Sequence, residues 1–211
     1  LIPMLENAGA VVYTPRERDW QKNEVIVDND NKRGYVEDNG KEKWQTADSR
    51  GFAYHAGTYR DGENPFVSGT ARKVKSIKKG PESWASYQPT IPQAGRYAVY
   101  VSYQTLDNSI DDATYIVFHK GERTVFKVNQ KMGGGTWVCL GTFDFDKGNS
   151  DDNRVVVTNL SEKRGVVTTD AVRFGGGMGN IQRGGAMSGM PRCLEGARYS
   201  AQWAGAPYSV Y

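Results

Sequence analysis

The residues with the richest chemistry in this 211-residue chain are two histidines, two cysteines and two pairs of adjacent acids. His55 lies in FAYHAGTYR, and His119 ends a strand pattern beside Lys120. They are far apart in sequence, with no H-x-x-E-H or similar zinc spacing, so both are read as structural. Cys139 falls in a strand pattern and Cys193 in a helical one, and both are read as small buried hydrophobes. Asp111-Asp112 and Asp151-Asp152 sit among turn residues. A glycosidase needs two carboxylates held across a cleft. Adjacent acids in turns are solvated caps, or oxygen donors for calcium, which takes clustered carboxylates and carbonyls. Ser188 and Ser200 lack a G-x-S-x-G elbow. GGGMGN near Gly175 lacks the Gly-Lys-Ser/Thr of a phosphate loop and reads as linker. No catalytic set and no metal set is assigned.

The elements around these groups change character along the chain. In residues 1–19, Leu1, Met4, Leu5 and Ala8 keep helical spacing, Gly9 ends the helix, and Ala10 to Tyr13 form a short apolar strand. That is the grammar of a fragment of an α/β domain. The chain opens inside this helix without an initiator methionine, as a piece of a longer precursor would. Residues 20–50 are rich in Asp, Asn, Lys and Glu, and read as a polar connector with one edge strand at most. From 51 to 175 the pattern is all-β. Tyr97, Val99, Val101 and Tyr103 alternate onto one face, and ATYIVFHKGERTVFKVNQ reads as a hairpin turning near Lys120-Gly121-Glu122. With weaker strands near 70–78 and 84–90, about seven or eight strands suit a sandwich. Residues 176–187 are a glycine-rich linker, and 188–211 regain helical spacing at Leu194, Ala197, Ala201 and Ala204. The expected fold is therefore mainly β: a jelly-roll β-sandwich, flanked by short α/β pieces of an interrupted domain.

The net charge of +3 comes from 27 basic and 24 acidic residues spread along the chain, which leaves no nucleic-acid footprint. Lys73, Lys75, Lys78 and Lys79 are read as a solvated strand edge. No stretch approaches the roughly 20 apolar residues of a membrane span.

The stretches YHAGTYR, WASYQPTIPQAGRYAVYVSY, TVFKVNQKMGGGTWVCLGTFDF and VVTTDAVRF, in that order, resemble the golvesin C-terminal-like domain, also called the xanthan lyase carbohydrate-binding-like domain. The resemblance implies a galactose-binding-like jelly roll appended to or inserted in exported bacterial enzymes. It also implies an Asp at the position of Asp170, read here as a structural hydrogen-bonding group. VVYTPRERD is similar to the second helix–strand unit of zinc-dependent N-acetylmuramoyl-L-alanine amidases, with Thr14, Arg16 and Asp19 in matching places and Pro15 departing from the pattern. Together the two resemblances imply a β-domain inserted in an amidase-like domain, as in Bacteroides-type proteins labelled xanthan lyase. In those amidases two histidines and a glutamate hold zinc, and all three map outside this chain.

Sugars stack their flat apolar faces on exposed aromatic rings. The candidates are Trp84 first, then Tyr59, Tyr54, Tyr87 and Tyr103, with Tyr100 beside them; Trp137, alternating with Cys139, reads as core. The sequence thus points to a non-catalytic carbohydrate-binding-like module of a secreted, periplasmic or cell-surface enzyme. Its partners would be a polysaccharide or peptidoglycan glycan and the remainder of the parent. The alternative is a structural insert that shapes the parent's active site without binding glycan. Calcium is the one cofactor such a domain could hold, and zinc belongs to the parent.

Overall fold

The computed structural model describes residues 21–52 and 69–176, which form twelve strands. The α/β pieces expected in 1–19 and 188–211, and all of the 176–187 linker except Gly176, lie outside the described residues. Three sheets result. The first has four strands in the order β1 (Gln21–Asp28), β12 (Ala171–Gly176), β6 (Gly95–Ser102) and β9 (Val138–Phe145). The second has five, in the order β2 (Tyr35–Asp38), β5 (Trp84–Tyr87), β10 (Asn153–Thr158), β7 (Ala113–His119) and β8 (Glu122–Val128). The third is small, in the order β11 (Val166–Thr169), β4 (Thr70–Lys75) and β3 (Gln45–Arg50). All nine strand pairings are antiparallel.

Side-chain alternation explains how the sheets stack. Tyr97, Val99 and Val101 of β6 point inward with Val172 and Phe174 of β12 and Val138 and Leu140 of β9. They meet Ala85 and Tyr87, Tyr115 and Val117, Phe126 and Val128, and Val155 and Val157 of the five-stranded sheet. This is the core of a β-sandwich, as the alternating pattern predicts. Val74 of β4 and Val167 of β11 carry the same core under the small sheet. The intervening residues of the four-stranded sheet are buried too. Ala98, Tyr100, Cys139 and Ala171 form a second cluster with Trp137 and Phe52 on its outer face. That sheet is covered on both sides, which is why β12 is buried at every position. Leu140 and Gly141 together face Val99, a β-bulge that lets Cys139 return to register with Tyr100.

The β7–β8 hairpin closes on the two residues Lys120 (φ 45°) and Gly121 (φ 76°), with His119 paired to Glu122. Two left-handed residues make the tight turn whose twist matches the strands. The larger difference from expectation lies in residues 20–50. They hold β1, β2 and β3, one strand for each sheet, rather than a polar connector. Each lies at the edge of its sheet and shows the core only a few side chains, such as Val27 of β1 and Ala47 of β3.

Gln130 joins the five-stranded and small sheets from within. It is fully buried, and its Nε2 donates to the Thr168 carbonyl (2.7 Å) while Oε1 accepts from the Thr168 N–H (2.9 Å). One side-chain amide thus pairs with the β11 backbone as a neighbouring strand would. The same Nε2 reaches the Tyr115 hydroxyl at 3.1 Å. Replacing Gln130 with methionine keeps the volume and strands two buried backbone groups, so Gln130→Met is expected to cost about 2–4 kcal/mol in urea unfolding. Val125→Thr, on the exposed face of β8, should stay within about 0.5 kcal/mol in the same assay.

Candidate functional site

The small sheet forms the floor of a groove of about 970 Å³. On β4, Lys73 and Lys75 point to the groove, while Arg72 and Val74 point back toward the sandwich. Arg72 holds Glu37 of β2 there with two hydrogen bonds, 2.7 and 3.0 Å long. This bidentate pair favours both charged forms: it keeps the Glu37 carboxyl below its ordinary value, against the opposing effect of burial, and raises Arg72. It also ties the small sheet to the five-stranded one. Lys73 and Lys75 were expected on a strand edge, but β4 is the central strand of its sheet. Asp48 of β3 pairs with Lys73 across the floor.

One wall is the loop between β2 and β3, which brings Lys41, Glu42 and Lys43. It is held by the Lys41 N–H on the Pro81 carbonyl (2.9 Å), by Ser83 Oγ on the Glu42 carbonyl (2.5 Å) and by the buried Trp44. The indole N–H of Trp44 donates to the Trp84 carbonyl at 3.1 Å. The opposite wall is the Thr105–Asn108 turn after β6, with Leu106 and Asp107. The Leu106 N–H donates to Ser109 Oγ (2.9 Å), the Gly134 N–H to Thr105 Oγ1 (3.0 Å), and the Val166 N–H to the Asn108 carbonyl (2.9 Å). A Cβ on Gly134 would lie 2.3 Å from the Thr105 nitrogen, so only glycine permits this wall.

The groove is therefore a rigid, open trough with four ammonium groups, three carboxylates, and the Gln45 and Asn108 amides. Such a surface can hydrogen-bond hydroxyls and pair with carboxylates. Asp48 and Asp107 are exposed, and among the described residues neither His119 nor Cys139 lines the groove. His119 stands in the β7–β8 hairpin, with Nε2 3.0 Å from Thr124 Oγ1 and its ring against Phe143. His55, Ser188 and Ser200 lie outside the described residues.

The expected aromatic platform is dispersed. Tyr87 and Tyr103 are both fully buried, and so is Tyr100. Their hydroxyls find partners inside: Tyr87 with Thr169 Oγ1 at 2.7 Å, and Tyr103 donating to the Met132 carbonyl at 2.7 Å. Tyr100 lies under the Arg173 guanidinium, which also stacks on Trp137. These rings are core, so Tyr87 and Tyr103, expected to stack on sugar, have no face open to a ligand. Trp84 is half-buried at the start of β5, behind the Lys41–Lys43 wall rather than in the groove. Tyr54 and Tyr59 lie outside the described residues. The groove lysines carried a sequence signal, the spacings Lys41-x-Lys43 and Lys73-x-Lys75, but reading it required β3 to be recognised as a strand beside β4.

Three of the four paired acids are engaged. Asp111 pairs with Lys131 at 3.4 Å, Asp112 accepts from Ser161 Oγ at 2.6 Å, and Asp151 pairs with Arg154 at 3.6 Å. Among the described residues no three or more His, Cys, Asp or Glu side chains gather as a metal centre. Cys139 is fully buried in the cluster on the outer face of the four-stranded sheet, in keeping with its reading as a small buried hydrophobe.

A curated xanthan lyase of Bacillus sp. (strain GL1) is 29% identical over 150 residues, which is 71% of this chain and 14% of that protein. A solved xanthan lyase structure from Paenibacillus superposes with a TM-score of 0.57 at 24% identity, over 73% of this chain and 13% of that one. The chain thus spans about a seventh of the relatives it matches. The family model described as the Golvesin C-terminal domain matches residues 25–176, from β1 through β12. The chain belongs to the Golvesin C-terminal domain family.

Proposed function

We propose that this chain is a non-catalytic glycan-recognition module of an exported polysaccharide- or cell-wall-degrading enzyme, and that it binds through the groove on the small sheet. The observation that carries this reading is the lining itself: Lys41, Lys43, Lys73 and Lys75 beside carboxylates and amides, on walls already held in place. A hydroxyl-rich chain needs many fixed polar partners, and fixing them beforehand lowers the cost of binding. The lysines favour a glycan that bears carboxylates. The xanthan lyase relatives act on a polysaccharide by name, and this chain matches only a small part of them, as a module would. The amidase-like motif at Thr14, Arg16 and Asp19 makes a zinc amidase-like hydrolase the proposed parent.

Affinity electrophoresis in gels containing xanthan, peptidoglycan fragments or neutral dextran tests this. Retardation is expected with a carboxylated glycan, weakening as salt is raised. The double variant Lys43→Ala/Lys75→Ala should lose roughly tenfold or more in affinity, about 1.4 kcal/mol. Trp84→Ala should bind like the unaltered chain. Retardation by none of these glycans would favour a structural insert, and loss through Trp84 alone would move the site away from the groove.

A further inference from the structure

Three side-chain oxygens stand without a hydrogen-bond partner where β1 ends beside the start of β12: Asp28 Oδ2, Asn29 Oδ1 and Asp170 Oδ1. The backbone brings their residues together. Asp28 is paired with Ala171, and the Asn29 N–H donates to the Asp170 carbonyl at 2.9 Å. Each residue has its other polar atom in use. Asp28 Oδ1 accepts from the Asp30 N–H at 2.8 Å, and Asn29 Nδ2 donates to Thr70 Oγ1 at 3.2 Å. Asp170 Oδ2 accepts from the Phe52 N–H and, at 3.3 Å, from Ser102 Oγ. These bonds fix the side chains, and the remaining oxygens are left over as acceptors.

Asp170 is completely buried. A buried acceptor without a donor is costly, and a buried carboxylate without a counter-charge is more so. No described basic side chain acts on either carboxyl; the charged neighbours are other acids. Burial first, then Asp28 and Asp30, push the Asp170 carboxyl well up, and burial pushes Asp28 up to about 6. Asp30 offers no relief, since its Oδ1 and Oδ2 accept from Thr70 Oγ1 and the Thr70 N–H at 2.6 Å each.

We propose that a divalent cation, calcium in preference to magnesium, is held between Asp28, Asn29 and Asp170. The free donors are all hard oxygens, two from carboxylates and one from an amide. Calcium accepts such a mixed set and completes six to eight ligands with carbonyls and water, whereas magnesium demands a tighter octahedron. Only two of the donors are acids, so the set falls short of a three-acid centre. Of the acid pairs singled out in the sequence, Asp111, Asp112 and Asp151 have lysine, serine and arginine partners instead. The cation would tie β1 to the junction of β11 and β12, which supports the small sheet and its groove.

The test is calorimetric titration and thermal unfolding of the full chain after EDTA treatment and dialysis. Calcium at about 5 mM should bind at one site per chain and raise the melting temperature by about 3 °C or more, with magnesium weaker. Asp28→Asn and, separately, Asn29→Ala should lose most of that rise, while Asp111→Asn keeps it. A flat titration and an unchanged melting temperature would overturn the proposal in favour of protonated carboxyls. So would a full calcium response in both Asp28→Asn and Asn29→Ala.

Discussion

Asp170 is a single residue between two strands of different sheets, and the rest of the molecule is arranged around it. β11 ends at Thr169 in the small sheet, and β12 begins at Ala171 in the four-stranded one. The chain must change sheets across one peptide unit on each side. The Asp170 N–H donates to the Ser102 carbonyl, its carbonyl accepts from Asn29, and its carboxylate takes the Phe52 N–H. Three segments distant in sequence are thereby fixed to one buried residue. Removing the carboxylate would strand the Phe52 amide in the interior, a loss that water cannot repair.

The small sheet owes its position to this junction and to two further ties. Gln130 takes the place of a strand beside Thr168, and Arg72 grips Glu37 across to the five-stranded sheet. With three anchors, the sheet can present Lys73 and Lys75 outward while Val74 and Val167 remain in the core. The groove therefore follows from the architecture rather than from a mobile loop. Charged and amide groups dominate its lining, with Val74, Leu106 and Val166 between them. The tyrosines that make the sequence look like a stacking platform serve instead as core residues whose hydroxyls are matched internally.

Those tyrosines show where sequence reading reaches and where it stops. The alternation of Tyr97, Val99, Val101 and Tyr103 revealed the inward face of β6, because one face meets a continuous core. The β7–β8 hairpin was legible from Lys120-Gly121, because few residues accept its turn geometry. Periodicity alone could not tell a buried tyrosine from an exposed one; that depended on distant acceptors such as the Met132 carbonyl and Thr169 Oγ1. The strands β1, β2 and β3 were hidden for a related reason. As edge strands they contact the core sparingly, and Gln45–Arg50 has only Ala47 buried, so their acids and amides resemble a connector. Without β3 the floor of the groove does not exist in a sequence reading, and Lys73 and Lys75 look like an ordinary charged edge.

The claim that the groove is the ligand face is tested most directly by amide chemical-shift mapping of the ¹⁵N-labelled chain, titrated with oligosaccharides from a carboxylated glycan. The account predicts shifts confined to Lys41, Lys43, Asp48, Lys73, Lys75 and the Thr105–Asn108 turn, with the β7–β8 hairpin silent. Shifts centred on Trp84 or on the outer face of the four-stranded sheet, with the groove unmoved, would contradict it.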